Sequence, residues 1–201
     1  MKKKILVAVA HPDDETLWCG GVLLKNSGWE KTIFSFTRKS DKDRNPKFFK
    51  VCDYYGAQGF MDDLDDSPEQ SPLSYEQYES AVKKNLADKD YDIIITHHPF
   101  GEYTRHLRHE EVSLAISIMV AKGILNAGEM WFFNYSDNCR KEFPKARSDS
   151  DFLVELDKET KEKKEEIILN IYGFSKDSWE AKANPMIEGF KIKKEFFRRG
   201  K

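Results

Sequence analysis

Residues 4–15 read KILVAVAHPDDE, an aliphatic run from Lys4 to Val9 that breaks on His11, Pro12 and three carboxylates. A near-continuous apolar run, without the alternation of a half-exposed strand, is what a strand covered by helices on both faces requires, and such strands belong to parallel sheets. From 16 to 25 the apolar residues Leu17, Trp18, Val22, Leu23 and Leu24 follow helical spacings, and Asn26-Ser27-Gly28 stops the pattern. The opening unit is therefore strand, acidic loop, helix.

The same alternation recurs along the chain. Strands are predicted over 31–36, 56–61, 91–96 (YDIIIT) and 129–134, with helices over 46–55, 75–87 and 108–122. That order is the signature of an α/β fold: a three-layer, Rossmann-like arrangement with a mostly parallel central sheet. The acidic segment 62–72 reads as a solvated loop. Residues 151–171 are highly charged and read as an exposed helix or helix pair. The segment 184–201 reads as a last strand or helix on the rim. Neither a repeat nor a linker is visible, so residues 1–201 are expected to form one domain, its part beyond about 140 being the least patterned.

Composition excludes several classes. In 201 residues, 39% hydrophobic and 13% aromatic content suffices for a sizeable core. Lys and Arg (33) nearly balance Asp and Glu (35), leaving a net charge of −2, so no global field draws in nucleic acid or an anionic membrane. No segment approaches the roughly 20 apolar residues of a bilayer span. The basic start at Lys2–Lys4 is followed by too short an apolar run for a signal peptide. Three widely spaced cysteines without a C-x-x-C pair suit a reducing, cytoplasmic setting. A homo-oligomer is left open.

Chemistry concentrates in two places, each just past the carboxyl end of a predicted buried strand, where open α/β sheets place their ligands. One is HPDDE, residues 11–15. The other is THHPFGEYTRHLRH, residues 96–109, and together they hold all five histidines. Imidazole and carboxylate without cysteine is the donor set of a catalytic rather than structural zinc site. His11 and Asp14 can face one ion across a turn while Asp13 points into the cleft. One carboxylate then ligates, and the other can take a proton from the water the ion activates. His106 and His109, three apart at a helix start, share a face, so that one can ligate while the other stabilises developing charge. The plainer alternative for HPDDE is a capping turn in which Asp13 or Asp14 closes the first helix. Glu15 would cap that helix or orient His11, and Glu102 would order its loop or meet substrate. Trp18, Trp131 and Phe133 read as core, and Trp179 as a surface on which a sugar could stack.

HPDDE after the first strand, then T-H-x-x-x-G-E-Y and H-x-x-H, resembles the LmbE/PIG-L family of zinc-dependent de-N-acetylases, most closely over 1–25 and 91–122. The resemblance implies zinc, or another divalent ion, on His11, Asp14 and His109. It also implies Asp13 as general base, with His106 stabilising the oxyanion or protonating the leaving amine. Arg44 matches a substrate-contacting arginine of the family, although Lys47 stands where a glutamate is common. Arg105, Leu107 and Arg108 depart from the family's usual residues around H-x-x-H, which gives Arg105 and Glu102 a place on the pocket rim. The implied activity is removal of an N-acetyl group from an N-acetylglucosamine-type sugar or conjugate. The alternatives are a zinc amidohydrolase for a non-sugar amide and a carbohydrate-binding relative without turnover. The basic residues at 191–201 form no recognised nucleic-acid module.

Overall fold

The computed structural model describes residues 2–69 and 71–194. A seven-stranded sheet runs in the order β3-β2-β1-β4-β5-β9-β8. Its first five strands, β1 (Lys4–Val9), β2 (Glu30–Ser35), β3 (Ala57–Met61), β4 (Asp90–Thr96) and β5 (Asn126–Phe133), are parallel. β9 (Ile187–Lys193) pairs antiparallel with β5, and β8 (Phe152–Glu155) closes the edge antiparallel to β9. A two-stranded ladder, β6 (Tyr135–Ser136) and β7 (Lys145–Ala146), lies apart.

The continuous apolar character of β1 follows from burial on both faces. Ile5, Val7 and Val9 pack with α1 (Asp14–Lys25) and α2 (Arg44–Tyr55), whereas Leu6 and Ala8 pack with α3 (Tyr75–Asn85) and α4 (Leu107–Ala121). This is the three-layer, Rossmann-like architecture expected from the strand–helix alternation. Because β2 and β3 grow away from one side of β1 and β4 and β5 from the other, the strand order reverses between β1 and β4. Ala8 pairs with Thr96, so HPDDE and the histidine-rich loop leave the sheet side by side at that switch point.

Three segments differ from their sequence reading. Residues 151–171 open with the strand β8; α5 (Lys158–Glu166) follows and ends in a π-helical turn, Ile167–Ile171. The charged surroundings hide four residues whose Phe152 packs on Trp131 and Phe190. Nor is the charge run wholly solvated, since Lys164 is fully buried and paired with Glu188 at 2.7 Å. The segment from 184 supplies a strand, β9, and the aromatic and basic residues beyond 194 lie outside the described residues.

α1 starts at Asp14 and is broken at Cys19 (φ −144°, ψ 15°). A break leaves backbone groups without helical partners. Here the chain's later residues satisfy them. Lys164 donates to the carbonyl of Leu17 (2.9 Å) and Tyr135 to that of Trp18 (2.6 Å), while Glu188 accepts from the amides of Gly21 and Val22 (both 2.8 Å). Gly21 is required by this packing, because a Cβ there would meet Leu156 Cδ2 at 2.2 Å.

Candidate metal centre and cleft

His11, Asp14 and His109 converge. His11 Nδ1 lies 3.0 Å from His109 Nε2 and 3.2 Å from Asp14 Oδ2, and His109 Nε2 lies 3.5 Å from the same oxygen. Tetrahedral zinc with ligand bonds of 2.0–2.1 Å needs donor atoms about 3.3–3.4 Å apart. The observed triangle has that size. His106 stacks on His109 at 4.0 Å, and His97 stacks on its other face at 4.0 Å. Two overlapping groups among the described residues could hold an ion: His11, His106 and His109, and Asp14, His97, Glu102 and His109.

A second layer orients the donors. Asp66 Oδ1 accepts from His11 Nε2 (3.1 Å), and Asp66 Oδ2 accepts from Arg38 Nε (2.8 Å). Glu102 is fully buried with one oxygen 2.9 Å from His97 Nδ1 and the other 2.5 Å from His109 Nδ1. The amide of Ala10 donates to His97 Nε2 (2.9 Å), which assigns the His97 proton to Nδ1 and makes that ring neutral. With Asp66 and Glu102 beside the outer nitrogens, His11 Nδ1 and His109 Nε2 face one point, the arrangement in which carboxylates hold metal-ligating histidines.

Electrostatics agree with the geometry. Burial alone would lower the pKa of His11, yet Asp14 and Asp66 raise it to about 10: this point of the fold holds positive charge strongly. Burial opposes ionisation of Asp14, but His109 foremost, with the hydrogen bond and charge of His11, keeps it well below the usual carboxylate range. Asp13 is pushed the other way, first by burial and then by Asp14. Its carboxylate contacts Arg44 at 3.2 Å, and its backbone takes φ 127°, where non-glycine residues are strained. It makes no helix-capping bond, so the capping-turn alternative does not describe it. Burial, with His109 and His11 nearby, lowers His106 to about 4, and its Nδ1 is buried without a hydrogen-bond partner among the described residues.

The cleft over this cluster, about 280 Å³, is lined by Asp13, Arg44, Tyr103, His106, Trp179 and the convergent donors. Arg44 stands in it, stacked over Phe174. Glu102 lies beneath the histidines, where substrate would not reach it. Arg105 is three-quarters exposed, paired with Glu110, and lines a neighbouring depression with His98. Glu15 neither caps α1 nor touches His11: it accepts from Tyr172 (2.7 Å), Thr16 (2.6 Å) and the amide of Asp13 (3.0 Å), holding the strained residue. Trp18, Trp131 and Phe133 are core residues, as their periodicity predicts. Arg38 was absent from the sequence reading, and Asp66 entered it only as one acid of a loop read as solvated. The only signal for Asp66 is its membership of an acidic loop, and the solvated-loop reading fails there because that carboxylate is turned in against His11.

No family model matches the chain. An uncharacterised protein of Acanthamoeba polyphaga mimivirus is 24% identical over 149 residues, 66% of this chain, and the match spans 62% of that relative's length. Among solved structures, a conserved protein of Thermus thermophilus is 20% identical with a TM-score of 0.62, covering 94% of both chains. The hydratase GalB of Pseudomonas putida (13% identical, TM-score 0.66) covers 100% of this chain and 98% of its own. A deacetylase of the teicoplanin biosynthetic pathway (10% identical, TM-score 0.67) covers 96% of this chain and 98% of its own. The chain has the fold of the LmbE/PIG-L-type de-N-acetylases.

Proposed function

We propose that the chain is a metal-dependent deacetylase that removes the N-acetyl group from an N-acetylglucosamine-type sugar or conjugate. The observation that carries this reading is the triangle of His11 Nδ1, Asp14 Oδ2 and His109 Nε2, whose edges of 3.0–3.5 Å fit a tetrahedral face of zinc. The donor set fits the group, and these three residues would hold it. An ion bound there supplies Lewis acidity, lowering the pKa of water and polarising an amide carbonyl.

The chain's own residues supply the rest. Asp13 holds a carboxylate in the cleft beside the donors without being one of them, and burial raises its affinity for a proton; both suit a general base. Arg44 fixes the orientation of that carboxylate and presents a cation to substrate hydroxyl or acid groups. His106, neutral at pH 7, donates a hydrogen bond to the carbonyl oxygen as it gains charge, an oxyanion-hole role that a low imidazole pKa favours over delivery of a proton to the amine. Trp179, 39% exposed at the cleft edge, offers a ring face to the sugar.

The test combines metal content with amine release from N-acetylglucosamine and several of its conjugates. About one divalent ion per chain is expected. Asp13→Ala keeps the ion and loses turnover, whereas His109→Ala loses both. A zinc-inhibited form of a teicoplanin deacetylase has been crystallised, so zinc is titrated rather than added in excess. A chain that holds no ion at neutral pH, or hydrolyses no N-acetyl group offered, overturns the reading.

A further inference from the structure

A line of aromatic rings leads out of the metal-ligand cluster. Trp18, whose Nε1 donates to Asp14, lies 5.2 Å from Tyr103, and Tyr103 lies 5.3 Å from Trp179. Trp18 is buried and Trp179 is not, so the line runs from the cluster to the surface. Tyr103 and Trp179 wall two cavities at once. One is the cleft already described. The other, about 750 Å³, is completed by the loop 137–145, where Phe143 and Pro144 supply the apolar surface.

That loop is built unusually. Asn138, Cys139 and Arg140 are consecutive non-glycine residues with φ of 51°, 60° and 65°. Isolated residues visit this region, but runs of them are avoided, and such strain persists only where the surroundings impose it, often beside a ligand. The ladder of β6 with β7 pins both ends of the loop. Phe143 is 43% exposed. Lys145 is paired with Glu142, whereas Arg140 and Lys141 have no acidic partner among the described residues.

We propose that this second cavity is an aglycone subsite for a flat aromatic group bearing negative charge, joined to the acetylated sugar held in the cleft. Size, shape and charge each support it. A cleft of about 280 Å³ lies at the small end of ligand cavities and suits little more than a single sugar, while the adjoining volume borders it across the shared Tyr103–Trp179 wall. Flat rings stack or meet edge to face with exposed Trp and Phe. Of the charged residues lining the cavity, Lys145 and Glu142 pair with each other, and Arg140 and Lys141 outweigh Asp137, a positive balance that complements an acid group on such a ring. The sugar half of this inference rests on the deacetylase reading; the subsite does not.

The test therefore uses probes without an acetyl group. Quenching of tryptophan fluorescence by 4-carboxyphenyl β-glucoside is compared with that by methyl β-glucoside. The native chain is expected to bind the aryl glucoside roughly tenfold more tightly, which corresponds to about 1.4 kcal/mol. Phe143→Ala and the pair Arg140→Ala/Lys141→Ala each reduce that preference; these side chains are surface-exposed, so the variants fold. Equal binding of the two glucosides by the native chain, or a preference that survives both changes, overturns the subsite. An aryl preference accompanied by no hydrolysis of the corresponding N-acetylglucosaminides supports the subsite and removes the deacetylase reading.

Discussion

His11 owes its direction to Asp66. An imidazole free to rotate presents either nitrogen; one whose Nε2 donates to a buried carboxylate presents only Nδ1 to the ion. Loss of such outer partners typically lowers metal affinity about 10–100-fold. Asp66→Asn is expected to weaken binding of Co²⁺ by that factor, read from its visible absorption during titration, while leaving the fold intact by circular dichroism. Unchanged affinity would show that Arg38 and Asp66 merely shape the rim. Asp13→Asn, by contrast, is expected to leave Co²⁺ affinity within a few-fold and to lower kcat by about 10²–10⁴, the usual contribution of a general base. The histidine clusters were legible as a candidate metal site because all five histidines fall in two loops. Only four of the five join it: His98 turns into the neighbouring depression with Arg105. Sequence gives no warning of that, since His97 and His98 have the same neighbours.

Within the elements, α1 carries the larger lesson. Its apolar spacing announced a helix, but not the break at Cys19 nor what mends it. Glu188 faces two amides and Lys164 at zero exposure, so removing one charge strands the other in the interior, a change that costs about 3–5 kcal/mol. Glu188→Gln should lower stability to chemical denaturation by that amount, and adding Lys164→Met to it should restore part of the loss. A decrease under 1 kcal/mol would mean that solvent reaches the pair. Because Asp14 stands on the first half of α1, metal affinity should fall with stability in the single variant. On α5, Lys161 donates to the carbonyl of Asn184, and burial together with Lys164 depresses its pKa to about 8. The unfolded chain then binds the extra proton between pH 8 and 10.5, so this residue makes stability rise with pH across that window. Lys161→Met should flatten the rise, measured as denaturation midpoint against pH.

At the scale of the whole molecule, the sheet order brings residues 11–14 and 97–109 together where the strand direction of growth reverses, and the later segments lock them there. An ion bound by the native chain alone stabilises it by mass action, about 4 kcal/mol at a thousandfold excess over Kd. Chelation should accordingly lower the melting temperature by several degrees, and added Zn²⁺ should restore it; a melting temperature indifferent to chelator would argue that the cluster is held by protons alone. Among the described residues no helix is long and apolar enough to cross a membrane.

What the sequence by itself determined is local or strongly periodic. β1 and β4 are near-continuous apolar runs, α2, α3 and α4 have helical spacing, and HPDDE and the H-x-x-H segment follow buried strands, so fold class and the two donor-bearing clusters could be read directly, while the choice of His109 over His106 as a donor came with the family resemblance. The tertiary structure decided the rest: Asp66 against His11, Glu102 beneath His97 and His109, Lys164 with Glu188 inside α1, and the strand character of 152–155. Each is a charged residue, or a short segment among charged residues, whose partner lies elsewhere in the chain. Burial of charge is stable only with that partner in place, and the partner is chosen by how the elements pack, which no local pattern encodes.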